Sequence, residues 1–225
     1  MKYKIISGKY ETGNVEQQMG YQQLFGKENI QRKFDLYFHW YNLVHEMGHC
    51  LVEKYGIQKS QVQEEMFVNE FAVSYYRFIG ENEKLNELKT NLQAVIDQVP
   101  SPVPEGQTFL SFFESIWGTE QLMDVMLYGY FQLNSVLEAL KKERSFADVI
   151  GELGVELQFS GENEERTINQ RLPRMEKCEE PIASSSAEVF LKNAIANLKA
   201  IGLEVPEVRL ELVDNPMVQC AQKEN

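Results

Sequence analysis

The chain has 225 residues, of which 43% are apolar and 25% charged, with 34 acidic residues against 22 basic ones and a net charge of −12. This length allows one large domain or two small ones with a hydrophobic core. The excess of negative charge repels phosphate backbones and anionic lipid, so we expect no nucleic-acid and no membrane partner. The first twenty residues lack the apolar stretch of a secretory signal, and no apolar run is long enough to predict a membrane span. We therefore expect a cytoplasmic protein.

Cysteine usage is consistent with that compartment. Cys50, Cys178 and Cys220 are odd in number, far apart and without C-x-x-C spacing. This pattern predicts neither a disulfide framework nor a zinc ribbon. Cys50 adjoins His49, but on a helix it is displaced from the histidine face, so we interpret it as a buried free thiol rather than a metal ligand.

The first quarter of the chain predicts a short strand followed by a long helix. Residues 3–7 (YKIIS) alternate weakly and include β-branched side chains, which is typical of a strand. Residues 8–29 contain glycine and glutamine without a clear period, and we expect loops and a short helix there. From about Ile30 to Tyr55 the apolar residues follow a helical period without proline, and Gly56 is a typical stop signal.

This long helix carries the motif H-E-x-x-H. His45 and His49 are four residues apart, so they lie on one helical face at the spacing with which two imidazoles bind one zinc ion. Glu46 lies about 100° around the helix. We expect it to act as a general base on water at the open coordination position, not as a ligand. The alternative is a core helix with two hydrogen-bonded histidines, but the apolar context favours the metal site.

A second helix is expected to supply the third ligand. Ser60 and Gln63 form the S-x-x-Q pattern of a capping box, which predicts that this helix begins at Ser60. A catalytic zinc normally has three protein ligands. The remaining histidine, His39, lies six residues before His45 and thus on the wrong side of the first helix. We therefore expect an acidic ligand from the second helix.

Glu64, Glu65 and Glu70 are the candidates for that ligand. We favour Glu65, because helical spacing places it on one stripe with Asn69, Ala72 and Tyr76. Asn69 is then expected to hydrogen-bond a zinc histidine or to orient Glu65, as metal sites usually require. Glu70 points elsewhere and is interpreted as a surface carboxylate. The choice between Glu65 and Glu70 stays open, with Glu64 the weakest candidate.

The motif and a downstream E-x-x-V-N-x-F-A pattern that begins at Glu65 together resemble the ImmA/IrrE-type metallopeptidases, bacterial and phage-borne members of the gluzincins. The resemblance covers about residues 35–78. It implies a zincin-like core in which His45, His49 and Glu65 bind zinc and Glu46 is the general base. It also implies hydrolysis of a peptide bond in a cytoplasmic regulatory protein, such as a repressor.

Two other functional classes stay open beside a zinc metallopeptidase with a protein or peptide substrate. One is a zinc-binding regulatory or protein-interaction module with little or no turnover. The other is a structural interaction protein in which the motif is accidental. Hydrolysis also needs a second donor for the negative tetrahedral oxygen. The candidates are Tyr75, Tyr76, Tyr128, Tyr130 and His39.

The rest of the chain predicts more helices and little β structure, so the expected fold is mainly α with a small β component. We expect helices at residues 81–99, 108–117, 120–142, 145–153 and 184–201, and strands at 155–159 and 203–213. Residues 1–159 are expected to form a zincin-like domain and 160–183 a polar linker or loop. Residues 184–225 form a C-terminal helix–strand extension, and whether it packs on the same domain stays open. The tail from Asp214 is expected to be frayed.

Overall fold

A computed structural model of the chain describes residues 1–154 and 175–224. These residues form a mainly helical structure with a three-stranded sheet, which confirms the expected α+β fold. The strand expected at 155–159 lies outside the described residues, as does most of the polar segment 160–183. Nowhere in the described ranges is there a helix with the length and apolar character needed to cross a membrane.

The elements follow the expected order, with ends that differ by a few residues. The strands are β1 (Lys2–Gly8), β2 (Glu207–Val213) and β3 (Gln219–Glu224). The helices are α1 (Val15–Phe25), α2 (Ile30–Asp35), α3 (Asn42–Tyr55), α4 (Gln61–Phe78), α5 (Asn82–Ile96), α6 (Phe109–Ile116), α7 (Val125–Lys141), α8 (Phe146–Gly151) and α9 (Ala187–Ala200). A π-helical turn (Leu36–Tyr41) joins α2 to α3, and 3-10 turns lie at Glu120–Met123 and Ser184–Ser186.

The sheet joins the two ends of the described chain. Its strand order is β2-β1-β3, with β1 parallel to β2 and antiparallel to β3. Tyr3, Ile5 and Ser7 on alternate positions of β1 are buried, so one face of the strand packs on the protein. As expected, β2 is an edge strand. Pro206 precedes it, at a position where the missing N–H of proline breaks no hydrogen bond of the ladder.

The expectation of a frayed tail from Asp214 is wrong. Residues 219–224 pair with β1, with Ala221 opposite Ile5. The segment reads QCAQKE and lacks the apolar alternation that predicts a strand. Backbone hydrogen bonds to β1, a strand from the other end of the sequence, hold it in place.

The motif helix is continuous from Ile30 to Tyr55 through the π-helical turn. It ends at Gly56, which has a φ of 66° and adopts the left-handed conformation that glycine tolerates best. His39 lies within the π turn, where Nδ1 is 2.6 Å from Asp35 Oδ1 and Nε2 is 3.0 Å from the Gly8 carbonyl oxygen. It therefore ties the helix to β1 and takes no part in the H-E-x-x-H face.

α3 and α4 pack closely at the motif. The expected capping box is confirmed, since the Ser60 hydroxyl accepts from Gln63 N at 3.2 Å and starts α4. A Cβ added to Gly48 would lie 2.9 Å from Val68 Cβ, closer than side chains tolerate. The absence of a side chain at Gly48 thus allows α4 to approach the motif within reach of both histidines.

The C-terminal extension packs on the same core. α9 contacts α3 and the π turn. The buried Asn197 amide of α9 also donates a hydrogen bond of 2.9 Å to the Tyr75 hydroxyl of α4. The described residues of the extension therefore add to the layer that supports the motif helix.

Candidate metal centre

Both motif histidines are anchored through Nδ1, which leaves Nε2 free. His45 Nδ1 is 2.9 Å from Asn69 Oδ1. The Asn69 amide is oriented by its own bonds: Nδ2 donates to the Glu65 carbonyl at 2.9 Å, and Oδ1 also accepts from the Tyr41 hydroxyl at 2.9 Å. Since Oδ1 accepts, Nδ1 of His45 carries the proton, and Nε2 presents a lone pair.

His49 has an equivalent partner in Glu64, whose Oε1 lies 2.7 Å from Nδ1. A carboxylate oxygen accepts, so here too the proton lies on Nδ1. The Nε2 atoms of His45 and His49 then face each other 3.3 Å apart. Two imidazole lone pairs directed at one point are the arrangement that a shared cation stabilises.

Glu65 completes a triangle with the two Nε2 atoms. Its Oε2 lies 3.5 Å from His45 Nε2, and its Oε1 lies 3.6 Å from His49 Nε2. Ligands about 2.0–2.1 Å from a tetrahedral zinc lie about 3.3–3.4 Å from one another, so these separations fit one zinc ion. Across residues 1–154 and 175–224, this is the one group of three His, Cys, Asp or Glu side chains close enough to share a metal.

The Glu65 carboxylate is incompletely hydrogen-bonded within the described part of the chain. Its Oε2 is buried and has no hydrogen-bond partner among the described residues. A buried carboxylate oxygen without a donor is costly, because it loses hydration without compensation. A cation between Glu65 and the histidines would satisfy this atom, so the donor set fits a divalent metal.

The electrostatics of the group favour a bound cation. Burial, and then repulsion from His49, lowers the pKa of His45 to about 3, so its imidazole is neutral, as a ligand must be. Burial alone would lower the pKa of His49, but nearby carboxylates raise it to about 9, so at neutral pH a metal at its Nε2 would take the place of a proton. Burial raises the pKa of Glu65, and the positive charge of His49 offsets part of this increase. The carboxylates thus create a site that attracts positive charge.

Glu46 lies beside this group on the same helix and is 8% exposed. Its Oε1 accepts a hydrogen bond of 3.1 Å from Asn42 Nδ2, one turn earlier. Burial raises the pKa of Glu46, and the charge of His49 and bonds from Asn42 and the backbone of Ala221 in β3 partly offset this shift. A buried carboxylate with a raised pKa is suited to accept and return a proton.

α7 supplies the facing wall of the centre. Tyr128 and Gln132 line the same cavity as the histidines. Gln132 Nε2 donates to the Tyr128 hydroxyl at 2.9 Å, and the Gln132 side chain also faces the Glu65 carboxylate and offsets part of the rise in its pKa that burial causes. Burial and then Glu65 raise the pKa of Tyr128 to about 12, which keeps the hydroxyl protonated and able to donate.

The other candidate donors have different surroundings. Tyr75 is bound to Asn197, and the Tyr76 hydroxyl donates to the Trp40 carbonyl at 2.5 Å, both in the core. His39 is held by its bonds to Asp35 and β1. Tyr130 lines the cavity, but it packs against the separate aromatic cluster around Phe113. Of the two α7 tyrosines, Tyr128 is the one whose hydroxyl bonds Gln132 and whose pKa is raised by burial and by the charge of Glu65.

The centre opens into one large cleft of about 1420 Å³. Its walls come from α1, the motif helix, the start of α4, the end of α5, α7 and β3. Ala221 in β3 and Tyr128 in α7 both line it, so it extends past the metal group between sheet and helices. A cleft of this volume accommodates a segment of several residues rather than a single small molecule.

The structure brings together the five residues that the sequence singled out: His45, His49, Glu65, Glu46 and Asn69. The expectation that Glu70 is a surface carboxylate is wrong, although Glu70 does lie away from the centre. It is 7% exposed and bonds Lys142 Nζ and Arg144 Nη1, the latter at 2.9 Å. These cations come from the segment after α7, and helical spacing within α4 carries no information about them.

Three residues that surround the centre were not predicted in these positions. Asn42 precedes Glu46 by four residues, so helical spacing could have revealed it. Glu64 was weighed only as a ligand, and its contact behind His49 depends on how the two helices cross. Gln132 lies on α7, and no pattern in the sequence connects it to Glu65. The expectation of a free, buried Cys50 is confirmed.

Comparison with known proteins adds no assignment to this geometry. The chain matches no family model, no curated protein and no solved structure.

Proposed function

We propose that this chain is a zinc-dependent metallopeptidase that hydrolyses a peptide bond in a cytoplasmic protein. The observation that carries the proposal is the triangle of His45 Nε2, His49 Nε2 and the Glu65 carboxylate, with sides of 3.3, 3.5 and 3.6 Å, beside the buried Glu46. Three protein ligands and an adjacent carboxylate are the arrangement of catalytic rather than structural zinc sites. The resemblance of this segment to ImmA/IrrE-type peptidases supports the same function.

His45, His49 and Glu65 would hold the zinc ion. When bound, zinc would polarise the scissile carbonyl and lower the pKa of water at its open position to about 7. Asn69 and Glu64 keep the two imidazoles in the tautomer that offers Nε2. Their role is to fix the rings so that the ligand geometry exists before the metal arrives.

Glu46 acts as the proton carrier. Its carboxylate takes a proton from the attacking water and returns it to the leaving amine. Asn42 holds Oε1 from one side, so the carboxylate keeps one orientation through both transfers. The raised pKa brings Glu46 closer to the range in which a carboxylate both accepts and donates near neutral pH.

Tyr128 supplies the second donor to the negative oxygen of the tetrahedral intermediate. Its hydroxyl lies in the cleft and accepts from Gln132, so its own proton is free to point toward the substrate. Removing one such donor typically lowers kcat by about 10²- to 10³-fold. Gln132 acts through Tyr128 and Glu65, as a positioning residue.

Replacing Glu46 with glutamine tests the proposal. Glu46→Gln keeps the size and most hydrogen bonds of the side chain, so we expect zinc content to be unchanged and cleavage to fall by at least about 10³-fold. Metal content by mass spectrometry and cleavage of a quenched fluorescent peptide library measure both. Glu83→Gln, an exposed glutamate on α5, is the matched control and should retain full activity. Unchanged cleavage by the Glu46→Gln protein would contradict the role of Glu46 as the general base. Absence of any cleavage by the zinc-loaded wild-type protein would contradict the proposal that the chain is a peptidase.

A further inference from the structure

Exposed apolar side chains gather around the mouth of the cleft. Within the described residues, Val125, Met126, Tyr128 and Met217 are all exposed and all line it. Val125 is 68% and Met126 60% exposed, so both present most of their surface to water. We call these four residues the apolar rim. Isolated exposed apolar residues are ordinary, but a group around one cleft marks an interaction site.

Two further exposed methionines lie near cleft-lining residues in the sequence. Met123 is 82% exposed and lies two residues before Val125. On the α1 wall, Met19 is 52% exposed, and it lies one turn from Glu16 and Gln23, which line the cleft. Methionine side chains are flexible and polarizable, which suits surfaces that adapt to varied apolar partners.

The apolar character continues into the cleft. Leu24 of α1 and Phe38 of the π turn are half-buried and line the wall beside the aromatic ring of Tyr37. The rings of Phe38 and Tyr37 are in edge contact, with centroids 4.7 Å apart. A ligand in the cleft therefore meets apolar surface, and burial of its own apolar side chains would stabilise the complex.

Charge in the cleft selects against acidic ligands. Glu16, Glu46, Glu53, Glu64 and Glu65 line it. The two lysines in the same lining are already paired, Lys59 with Glu152 and Lys223 with Glu53. A bound metal ion would offset part of this negative charge, but the chain as a whole carries a net charge of −12. Neutral or basic segments are favoured and acidic ones repelled.

β3 presents a free edge to the same cleft. Gly8 N donates to the Val218 carbonyl, and with the antiparallel register this directs the backbone groups of Gln219, Ala221 and Lys223 away from β1. These three residues line the cleft. The Ala221 backbone N–H faces Glu46, and the other outward backbone groups of this row can pair with an extended chain.

We propose that the cleft takes an extended segment of a partner protein in which large apolar side chains alternate with neutral or basic ones. The segment lies along β3 and covers the apolar rim, which would otherwise remain in water. The inference rests on the proposed function for the fate of the segment, but its binding is measurable without turnover.

The test uses the full-length, zinc-loaded Glu46→Gln protein and fluorescein-labelled peptides of about ten residues, which are about 33 Å long in extended form. One peptide alternates leucine or phenylalanine with lysine or glutamine. A second replaces the lysines with glutamates, and a third replaces the apolar residues with serine. Fluorescence anisotropy should show that the first peptide binds at least about 10-fold more tightly than either of the others.

A double variant, Val125→Ser with Met126→Ser, tests the rim. Both side chains are exposed, so folding and zinc content should be unchanged, while affinity for the first peptide should fall about 10-fold. Val189→Ser is the matched control, because Val189 is exposed on α9 and does not line the cleft. It should bind like the parent protein.

Three results would overturn the inference: equal binding of the three peptides, unchanged binding by the rim variant, or a wild-type dimer that the rim variant dissociates in sedimentation. The last would make the rim an interface between copies of the chain. Selective binding without cleavage by wild-type protein would support the inference and contradict the peptidase. Cleavage by wild-type protein without this selectivity would support the peptidase and contradict the inference.

Discussion

Asn69 determines which nitrogen of His45 faces His49 and Glu65. It is fully buried and bonded on both sides of its amide, to the Glu65 carbonyl and to the Tyr41 hydroxyl. Rotation of the amide would break both bonds, so Oδ1 stays directed at His45 Nδ1. A fixed hydrogen-bond partner of this kind is how proteins orient a ligating imidazole.

Asn69→Ala should therefore lower zinc affinity by about 10- to 100-fold. Asn69→Asp keeps an acceptor for His45 and should retain most of the affinity, which separates orientation from simple loss of packing. Competition with a chelating dye measures both variants. Asn86→Ala, an exposed change on α5, is the control. Equal affinities for the alanine and aspartate variants would contradict this role.

Glu65 and Glu70 provide a matched pair on one helix. Glu65→Gln should abolish stoichiometric zinc binding, because it replaces a charged ligand in the triangle. Glu70→Gln should keep zinc and lower the free energy of unfolding by about 1–2 kcal/mol, since its partners Lys142 and Arg144 are partly exposed and remain hydrated. Zinc analysis and urea unfolding distinguish them. Loss of zinc in the Glu70 variant instead would reverse the assignment of the third ligand.

At the scale of the elements, the crossing of α3 and α4 sets the geometry of the centre. Two of the proposed ligands come from α3 and one from α4, so their separations depend on how closely the helices approach. Gly48 lies inside this contact, and its lack of a side chain leaves room for Val68. Helix packing distances respond to the size of the residue at the contact.

Gly48→Ala should lower the free energy of unfolding by about 1 kcal/mol, because overpacking outweighs the gain in helix propensity. It should also weaken zinc binding, since the helices must separate to admit the methyl group. Gly20→Ala is the control: Gly20 lies in α1 with open space around it, so this change should stabilise the protein slightly. Equal stability of the two variants would show that the contact is not tight.

Helical spacing predicted the two histidines on one face of α3, and Glu65 with Asn69 on one face of α4. The choice between Glu65 and Glu70 stayed open in the sequence, and the structure places Glu65 beside the histidines. The partner of His49 and the approach of Gln132 to Glu65 were not predictable, because they depend on how separate helices cross. β3 was missed for a related reason: its polar sequence becomes a strand only beside β1.

At the scale of the whole molecule, the sheet couples the two ends of the described chain to the cleft. β1 comes from the first residues and is held between β2 and β3. β3 also forms part of the cleft wall, and the backbone of Ala221 contacts Glu46. The last strand thus contributes both to stability and to the surroundings of the proposed general base.

Ending the chain after Asp214 should therefore have two effects. Loss of the β1–β3 ladder should cost about 3 kcal/mol, a drop of about 10 °C in melting temperature for a chain of this size. Peptide cleavage should weaken mainly through a higher KM, since one wall of the cleft is gone. Removal of the final residue alone is the control. Unchanged melting and KM in the shorter chain would contradict the part assigned to β3.

The central claim is that His45, His49 and Glu65 together bind one zinc ion. X-ray diffraction from crystals of the zinc-loaded protein, recorded on both sides of the zinc absorption edge, tests it most directly. We expect one anomalous peak about 2 Å from both Nε2 atoms and from the Glu65 carboxylate. A peak elsewhere, or none within reach of these three side chains, would contradict it.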